Sequence, residues 1–382
     1  MTGRDFIVLS DTLEGLPTSS LHLFKNIAKD NRVFWFNILT RLPGLSWLDF
    51  CKMKRAFFSW FTNGQDRSIS TPKKMGIQVV SPVMIPWFTP LVRKINCHLL
   101  LKKFRQLESE WKIKNPIFFT TFPAAADFFK SCPQSTKVYY CVDDFLNYPG
   151  IQHQRWREME SVLLQHVDGL VVTSKHLSSK SSGGLPLLHL PHGVDHEHFK
   201  KTNSTLHFPV QCPKRLVVGF FGLISDWVDL DLIAYLSDCF SDVSFLIIGR
   251  AELSIEKIRD RNNVTVVDHV SYEDLPGYAS QFDIGLIPFI INDLTKAVNP
   301  LKLLEYYALG LPVVSTKLPE LIGFPGPIKL ATTKEEFRDN LALTIKELSE
   351  QQRLEAELIA EKNSWEARVQ DLYCFLNIAK HN

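Results

Sequence analysis

The sequence predicts an α/β protein that contains two doubly wound parallel sheets. Its 382 residues exceed what one ordinary hydrophobic core accommodates and suit two domains. Short apolar runs rich in β-branched and aromatic residues alternate with helical patterns through both halves, which is typical of parallel sheets covered by helices. Hydrophobic residues make up 45% of the chain and charged residues 22%, as in an ordered globular protein.

Apolar runs with the length and composition of buried strands occur in both halves of the chain. In the first half they are 5–10, 32–37, 116–121, 137–142 and 169–174, and in the second half 215–222, 243–249, 264–269, 284–289 and 312–316. Each half therefore contains enough strands for a doubly wound sheet of its own.

A polar, proline-punctuated stretch at 191–214 separates the two sets of strands and is predicted to be the interdomain linker. The two domains are then 1–190 and 215–360. The final residues, 361–382, have apolar side chains at helical spacing and are predicted to end the chain in a helix.

Charge and cysteine content exclude several classes of protein. The net charge is only +2, and no nucleic-acid-binding motif is present, so we expect no nucleic-acid partner. The seven cysteines are odd in number and form no C-x-x-C pair, which predicts free thiols in a reducing compartment. No secretory signal and no uninterrupted apolar stretch of about 20 residues is evident, so a cytoplasmic protein is expected.

The stretch NPLKLLEYYALGLPVVST, residues 299–316, reads as a polar loop, a short helix, a glycine turn and a buried strand. A helix start offers free N–H groups and a positive dipole to an anion, and Lys302 would add a full charge. Glu305, one turn further on, is suited to accept hydrogen bonds from vicinal hydroxyls such as those of a ribose. Asn299 is predicted to share this face. The alternative is a surface ion pair of the i,i+3 kind, worth about 0.2–0.5 kcal/mol.

Five segments, in the right order, resemble GT-B glycosyltransferases of the family-4-like type. EYYALGLPVVST is similar to the second half of their E-x7-E and A-x-G-x-P-V-V nucleotide-sugar segment, and LPHGVDHEHF resembles the interdomain N-G-V-D-x-x-x-F element. VVGFFGLISDWVDLDLIAYL, VSYEDLPGYASQFDIGLIPF and NSWEARV resemble the first strand and helix of the donor domain, the E-E-L-P segment and the closing S-W-x-x-R helix. The resemblance covers 190–375 well and the N-terminal half loosely.

The resemblance implies two Rossmann-like domains facing a cleft. Residues 1–190 would bind the acceptor, 215–360 would bind the donor, and the helix in 361–382 would cross back to complete the first domain. The implied reaction moves a sugar from a nucleoside-diphosphate donor to a hydroxyl of a lipid-linked or growing cell-surface glycan. It implies neither a metal nor any other cofactor.

One departure from the family pattern concerns charge at the donor site. Ala297 stands where the first glutamate of E-x7-E is expected, while Glu305 takes the place of the ribose-binding glutamate. The loop GLISDWVDLD has three aspartates where family members carry basic residues, so Lys302 is the expected replacement cation. This pattern resembles the bacterial capsular, teichuronic or xanthan-type enzymes, and it leaves inversion open as an alternative to retention.

Candidate residues on the acceptor side follow strands of the first half. Asp143 and Asp144 end the run 137–142, and a carboxylate there suits a general base that takes the proton of the acceptor hydroxyl. The alternative is that one of the two caps the following turn. Glu14 and Gly15 lie in the first β–α loop, which approaches the donor phosphate and the acceptor in GT-B enzymes.

Four further donor-binding candidates follow strands of the second half. Gly222 lies in the segment that resembles the first donor-domain turn, and Arg250, His269 and Val270 follow the next two strands. The alternative for these positions is an ordinary strand end. The four histidines of 189–198 suggest a metal site only weakly, since nothing in a linker fixes their directions.

Two segments predict contact with a membrane surface. Residues 47–61 combine three basic with six aromatic residues, and 91–114 reads as a basic helix with an apolar face that includes Ile95, Leu99 and Leu100. The alternative is a helix packed on its own sheet with a solvated basic face.

Two other functions fit the same fold. A GT-B nucleotide-sugar epimerase would need neither an acceptor nor a membrane, and donor incubated alone would reveal an isomer. A non-catalytic scaffold would bind nucleotide weakly or not at all and would release no diphosphate.

Overall fold

The computed structural model describes residues 1–13, 18–38, 76–85, 87–132, 135–147, 153–181, 183–200 and 216–378. Contacts divide the chain into two compact units, residues 1–190 with 369–382 and residues 191–368. The domain limits derived from the sequence stay predictions.

The first unit contains a parallel sheet with the strand order β3-β2-β1-β4-β5-β6-β7. Its strands are β1 (Asp5–Ser10), β2 (Arg32–Asn37), β3 (Ile77–Val80), β4 (Ile117–Thr120), β5 (Thr136–Cys141), β6 (Gly169–Val172) and β7 (Leu187–His189). Among the described residues up to residue 190, its α-helices are α1 (Ser19–Ile27), α2 (Pro90–Trp111), α3 (Ala126–Ser131) and α4 (His153–Leu164). Single 3₁₀ turns cover Phe145–Asn147 and His176–Lys180.

The second unit contains a parallel sheet with the order β10-β9-β8-β11-β12-β13. Its strands are β8 (Val217–Phe221), β9 (Ser244–Ile248), β10 (Val264–Val267), β11 (Ile284–Ile287), β12 (Val313–Thr316) and β13 (Ile328–Ala331). Its helices in the described residues are α5 (His196–Lys200), α6 (Leu230–Cys239), α7 (Glu256–Arg259), α8 (Leu275–Ala279), α9 (Asp293–Lys296), α10 (Leu301–Ala308), α11 (Lys334–Glu347) and α12 (Glu350–Lys362). The last helix, α13 (Trp365–Ile378), begins in this unit and belongs to the first unit from Val369 onward.

The predicted fold class, two doubly wound parallel α/β sheets, is confirmed. In each sheet the strand order reverses beside the first strand, between β1 and β4 and between β8 and β11, and ligands bind such sheets at this point. Every residue of β1 and of β8 is buried, because helices cover both faces of a parallel sheet.

All ten predicted strands are present, with ends that shift by a residue or two. Three strands were missed, β3, β7 and β13, and all three lie at sheet edges. Each has at least one half-buried or exposed residue inside a run of only three or four, so it lacks the continuous apolar signal of the central strands.

Residue types that commonly begin or end helices do so in this structure. Thr18 caps α1, its hydroxyl accepting a hydrogen bond from the Leu21 N–H at 3.2 Å. Pro90 opens α2, and Lys112, in the left-handed region at φ 49°, ends it. The apolar residues of α13, including Trp365 and Leu372, are buried as predicted.

The five cysteines in the described residues carry free thiols, as predicted. None of the described helices combines the length and the apolar character that a membrane span requires.

Candidate active site

Two glycines shape the carboxyl edge of the second sheet, directly after β8 and β9. Gly222 and Gly249 have φ values of +134° and +147°, which favour glycine. A Cβ atom on Gly249 would lie 1.9 Å from the Gly222 carbonyl oxygen, so the two turns can pack backbone against backbone only without side chains. A Cβ atom on Gly222 would lie 2.7 Å from Nζ of Lys302, so this turn also makes room for the lysine.

The Lys302 ammonium lies in apolar surroundings. Its Nζ is 5.7 Å from the centre of the Phe220 ring and 5.6 Å from that of Phe289, within range of cation–π attraction. No carboxylate of the described residues lies within 4 Å of it to form an ion pair. Burial lowers the pKa of Lys302, and the charge of Glu305 opposes this shift.

Glu305 lies on the same side of α10 as Lys302, but the two form no ion pair within 4 Å. Both are half-buried, whereas Leu303 and Leu304 are buried. Burial raises the pKa of Glu305 to about 7, against the opposing effect of Lys302. The solvated ion pair that was the alternative interpretation of this helix is therefore wrong.

Tyr306 fixes α10 on the sheet. Its hydroxyl donates to the Leu286 carbonyl at 3.0 Å, and its ring centre is 4.8 Å from that of Phe221. Gly285 allows this approach, since a Cβ atom there would lie 2.6 Å from the Tyr306 ring. The first turn of α10 is thereby held beside β8 and β11, where the strand order reverses.

A second pair of rings lies near Glu305. His198 stacks on Tyr272 with ring centres 4.1 Å apart and planes 10° apart, and its Nε2 is 2.8 Å from the Tyr272 carbonyl oxygen. Burial raises the pKa of Tyr272, and the negative charge of Glu305 raises it further. His198 belongs to α5, a helix inside the stretch predicted as linker.

Asn299 precedes α10 and is half-buried, so helical spacing does not apply to it. It lines a cavity of about 50 Å³ together with Leu303 and Leu304. Its predicted place beside Lys302 stays a prediction. The remaining lining residues include His192 and Arg368.

The cavity brings together two of the motifs that carried the resemblance. The Val194 N–H donates to the Asn363 carbonyl at 3.0 Å, and a Cβ atom on Gly193 would lie 2.9 Å from the Trp365 nitrogen. The Arg368 Nε–H donates to the His192 carbonyl at 3.4 Å. Burial, assisted by the charge of Arg368, lowers the pKa of His192 to about 4.

The other donor-side candidates lie further along the same sheet edge. Arg250 follows β9, is 64% exposed and pairs with Glu252 at 3.1 Å. Its carbonyl accepts from the Ile224 N–H at 3.0 Å, which places it beside the loop after β8. His269 is exposed and Val270 half-buried after β10, the edge strand of the sheet.

Two of the three aspartates in the loop after β8 have structural partners. Asp229 caps α6, accepting from the Leu232 N–H at 2.8 Å, and Asp231 pairs with Lys257 at 2.7 Å. These carboxylates stabilise α6, which accounts for acidic residues close to a proposed phosphate site.

In the first unit, Asp144 belongs to a network of charges that the sequence did not indicate. Its Oδ1 is 3.1 Å from Nζ of Lys180, and its Oδ2 accepts from the Asn147 side chain at 2.8 Å. Lys180 also binds Glu160 at 2.8 Å, and the Tyr139 hydroxyl donates to the same carboxylate at 2.8 Å. Both oxygens of Asp144 are thus engaged within the fold.

Asp143 is half-buried next to this network, at the carboxyl edge of the first sheet. Its carbonyl accepts from the Cys141 thiol at 3.4 Å. Burial raises the pKa of Cys141 to about 12, so the thiol stays protonated as this hydrogen bond requires. Glu14 and Gly15, the candidates of the first loop, lie outside the described residues. Within the described ranges, no group of three or more histidine, cysteine or acidic side chains is arranged to hold a metal ion.

The two doubly wound sheets, with a charged helix start at the reversal point of the second, define the GT-B class of α/β protein. Residues 217–351 match the family model described as glycosyl transferases group 1. A protein of Bacillus subtilis strain 168, TuaH, named as a teichuronic acid biosynthesis glycosyltransferase, is 28% identical over 173 residues. That match covers 43% of this chain and 44% of TuaH, so the chain spans less than half of this relative's length.

Solved structures share the fold over the whole chain. Sucrose-phosphate synthase of Thermosynechococcus elongatus superposes with a TM-score of 0.68 at 15% identity, covering 98% of this chain and 100% of the synthase. The trehalose-6-phosphate structure from E. coli bound with UDP-2-fluoro glucose gives 0.67 at 11% identity, covering 99% of each chain. The matches confirm the predicted resemblance to GT-B glycosyltransferases. They also confirm that the enzyme class this chain resembles is glycosyltransferase.

Proposed function

We propose that the chain transfers a sugar from a nucleoside diphosphate to a hydroxyl of a lipid-linked or growing bacterial cell-surface glycan. The observation that carries this proposal is the Lys302 ammonium, held by two aromatic rings beside the glycine turn after β8, with Glu305 one turn further on. The group 1 glycosyltransferase match over the second unit supports it, as does a relative named for teichuronic acid biosynthesis.

The proposed donor site uses a cation for the diphosphate and a carboxylate for the ribose. Lys302 and the start of α10 attract the phosphates, and the low polarity around the ammonium strengthens that attraction. Glu305 accepts hydrogen bonds from the ribose hydroxyls. Gly222 allows the close approach, while Arg250, His269 and Val270 are proposed contacts of the nucleotide from the neighbouring strand ends.

Asn299 is a further proposed contact of the donor, because it immediately precedes the start of α10. It also lines the cavity that borders Leu303 and Leu304 of the first helical turn.

Lys302 is also the proposed stabiliser of the departing diphosphate. Negative charge grows on the phosphate oxygens as the bond to the sugar breaks, and a fixed cation lowers the barrier to that step. The loss of one such preorganised group typically costs about 2.7–4 kcal/mol. With a lysine in this role, the proposed reaction needs no metal ion.

The proposed general base is Asp143 or Asp144. An inverting transfer requires a carboxylate that takes the proton of the acceptor hydroxyl. The Asp144 carboxylate contacts Lys180 and the Asn147 side chain, which fix its position at this edge of the sheet. Glu14 and Gly15 remain predicted contacts of the acceptor-side loop.

A lipid-linked acceptor would place the reaction at a membrane surface. We propose that the chain works in the cytoplasm and binds peripherally to the inner face of the plasma membrane. In this proposal the attachment is made by side chains at the protein surface.

Calorimetric binding of UDP, GDP, ADP and dTDP tests the donor site directly. We expect one nucleotide to bind with micromolar affinity, and Lys302→Ala and Glu305→Ala to lose that binding. Lys296→Ala is a matched control, because Lys296 is a 47% exposed lysine of the preceding helix that pairs with Asp293. Binding by none of the nucleotides would contradict the proposal and favour the scaffold.

Turnover then separates transfer from epimerisation. Donor sugar incubated without acceptor should stay unchanged, and diphosphate release should need an acceptor glycan. An isomer of the donor formed without acceptor would identify an epimerase instead.

A further inference from the structure

One side of helix α2 exposes large apolar and basic residues together. Residues three or four apart on a helix share a face, and one such series runs along the whole of α2. The members of this series, called here the α2 stripe, are Leu91, Lys94, Ile95, His98, Lys102 and Arg105. Leu91 is 69% exposed and Ile95 39%, and the four others of the series are also exposed.

The remaining sides of α2 are fixed to the first unit. Asn96, Cys97, Leu100, Phe104 and Leu107 are buried, and Leu100 is only 2% exposed. Leu99 is half-buried. Leu100, which was expected on the apolar face that meets a membrane, packs inward, whereas Ile95 is exposed; contact of this face with a membrane stays a prediction. The second predicted segment, 47–61, lies outside the described residues.

The apolar end of the stripe consists of Leu91 and Ile95. The described residues just before α2 pack on the buried side of the helix: the Ile85 N–H donates to the Asn96 side chain at 2.8 Å, and Met84 and Phe88 line a small cavity with Leu100. An exposed leucine and isoleucine beside three basic residues combine the two features of a helix that lies on an anionic membrane surface.

The basic residues of the stripe keep their charge available to a partner. Lys94, Lys102 and Arg105 form no ion pair within 4 Å in the described part of the chain, whereas Arg93, off the stripe, pairs with Asp127 at 2.8 Å. Helical geometry also turns the two acidic residues of α2, Glu108 and Glu110, away from the centre of the stripe.

We propose that the α2 stripe binds an anionic lipid bilayer. The Leu91 and Ile95 side chains would enter the headgroup region, and the three cations would contact anionic headgroups. A soluble polyanion matches the charges of this surface but not its apolar end. The proposal holds whether or not the chain transfers a sugar, because it depends only on this surface.

Sedimentation of the full-length chain with vesicles tests the proposal. We expect binding to phosphatidylcholine vesicles that contain about a third phosphatidylglycerol, and much weaker binding to phosphatidylcholine alone. Each basic residue near an anionic surface strengthens binding on the order of fivefold, so Lys94→Gln/Lys102→Gln/Arg105→Gln should reduce the partition coefficient on the order of 100-fold. The triple Arg259→Gln/Lys346→Gln/Lys362→Gln removes the same charge from exposed sites of the second unit and should bind as the wild type does.

A separate variant tests the apolar residues of the stripe. Leu91→Ser/Ile95→Ser should weaken vesicle binding, including at high salt where the charges are screened. Unchanged binding of this variant, with loss only in the charge triple, would indicate a polyanion site and overturn the proposal. Failure of the wild type to bind anionic vesicles, or equal losses in both charge triples, would also overturn it.

Discussion

Lys180 and Lys302 occupy corresponding regions of the two units, near the carboxyl edge of a doubly wound sheet, yet their surroundings differ. Lys180 contacts two carboxylates, Asp144 at 3.1 Å and Glu160 at 2.8 Å. Lys302 contacts a glycine turn and two aromatic rings. Burial disfavours the charged form of both lysines, but at Lys180 the nearby acidic groups together outweigh burial and raise the pKa, whereas the pKa of Lys302 is lowered.

The difference separates a cation that holds the fold together from one suited to a ligand. A buried charge has a large desolvation cost, which carboxylates offset at Lys180. At Lys302 the aromatic rings offset only part of that cost, since a cation–π contact contributes about 0.5–2 kcal/mol. An anion brought to Lys302 would therefore gain more than one brought to Lys180, whose charge is already neutralised.

The largest effect that we expect concerns the two aspartates beside the paired lysine. Whichever of Asp143→Asn and Asp144→Asn removes the general base should lower kcat by about 10²–10⁴-fold, the usual contribution of such a base. The other variant retains the shape of its side chain and should retain most of kcat. Steady-state rates across pH distinguish the roles, since only the loss of the base should abolish the acidic limb of the profile. A larger loss in Asp144→Asn would make the Lys180 network part of the catalytic site, and wild-type rates in both variants would contradict the assignment of either residue.

Removing each lysine should affect folding differently. Lys180→Met leaves two carboxylates without their cation and should lower the free energy of unfolding by about 3–5 kcal/mol. Lys302→Met removes a charge from apolar surroundings and should leave stability at pH 7 no lower than that of the wild type. Urea unfolding measures both. Equal losses in the two variants would show that Lys302 is also a structural cation, and the comparison would fail.

Local sequence signals predicted the elements around Lys302 but not those around Lys180. Pro300, Lys302, Glu305 and the Gly310 turn lie within one short segment, so helix periodicity and turn chemistry are sufficient to place them. The contacts of Lys180 with Asp144 and Glu160 join elements distant in the sequence, and no spacing rule connects them. The network arises only when the loop after β5 meets α4 and the turn His176–Lys180.

The aromatic surroundings of Lys302 were missed for a different reason. Phe220 and Phe289 stand in or next to runs that read as buried strands, and both are indeed buried. Burial alone does not reveal that a ring also faces a cation. The central strands were predictable because both of their faces are covered, whereas the edge strands β3, β7 and β13 lack that continuous apolar pattern.

The smallest expected effect comes from Glu305, whose charge opposes the lowering of the Lys302 pKa. Its pKa is raised from the ordinary value of 4.5 to about 7, so the folded chain keeps a proton that the unfolded chain releases in this range. Stability should therefore fall as pH rises from about 4.5 to 7, by roughly 2–3 kcal/mol at most. Glu305→Gln should remove this part of the pH dependence, which urea unfolding at several pH values would measure. If the variant kept the wild-type slope, Glu305 would be ionised across the range and would neutralise Lys302 as Asp144 and Glu160 neutralise Lys180. The two lysines would then differ only in their distance from the carboxylates that neutralise them.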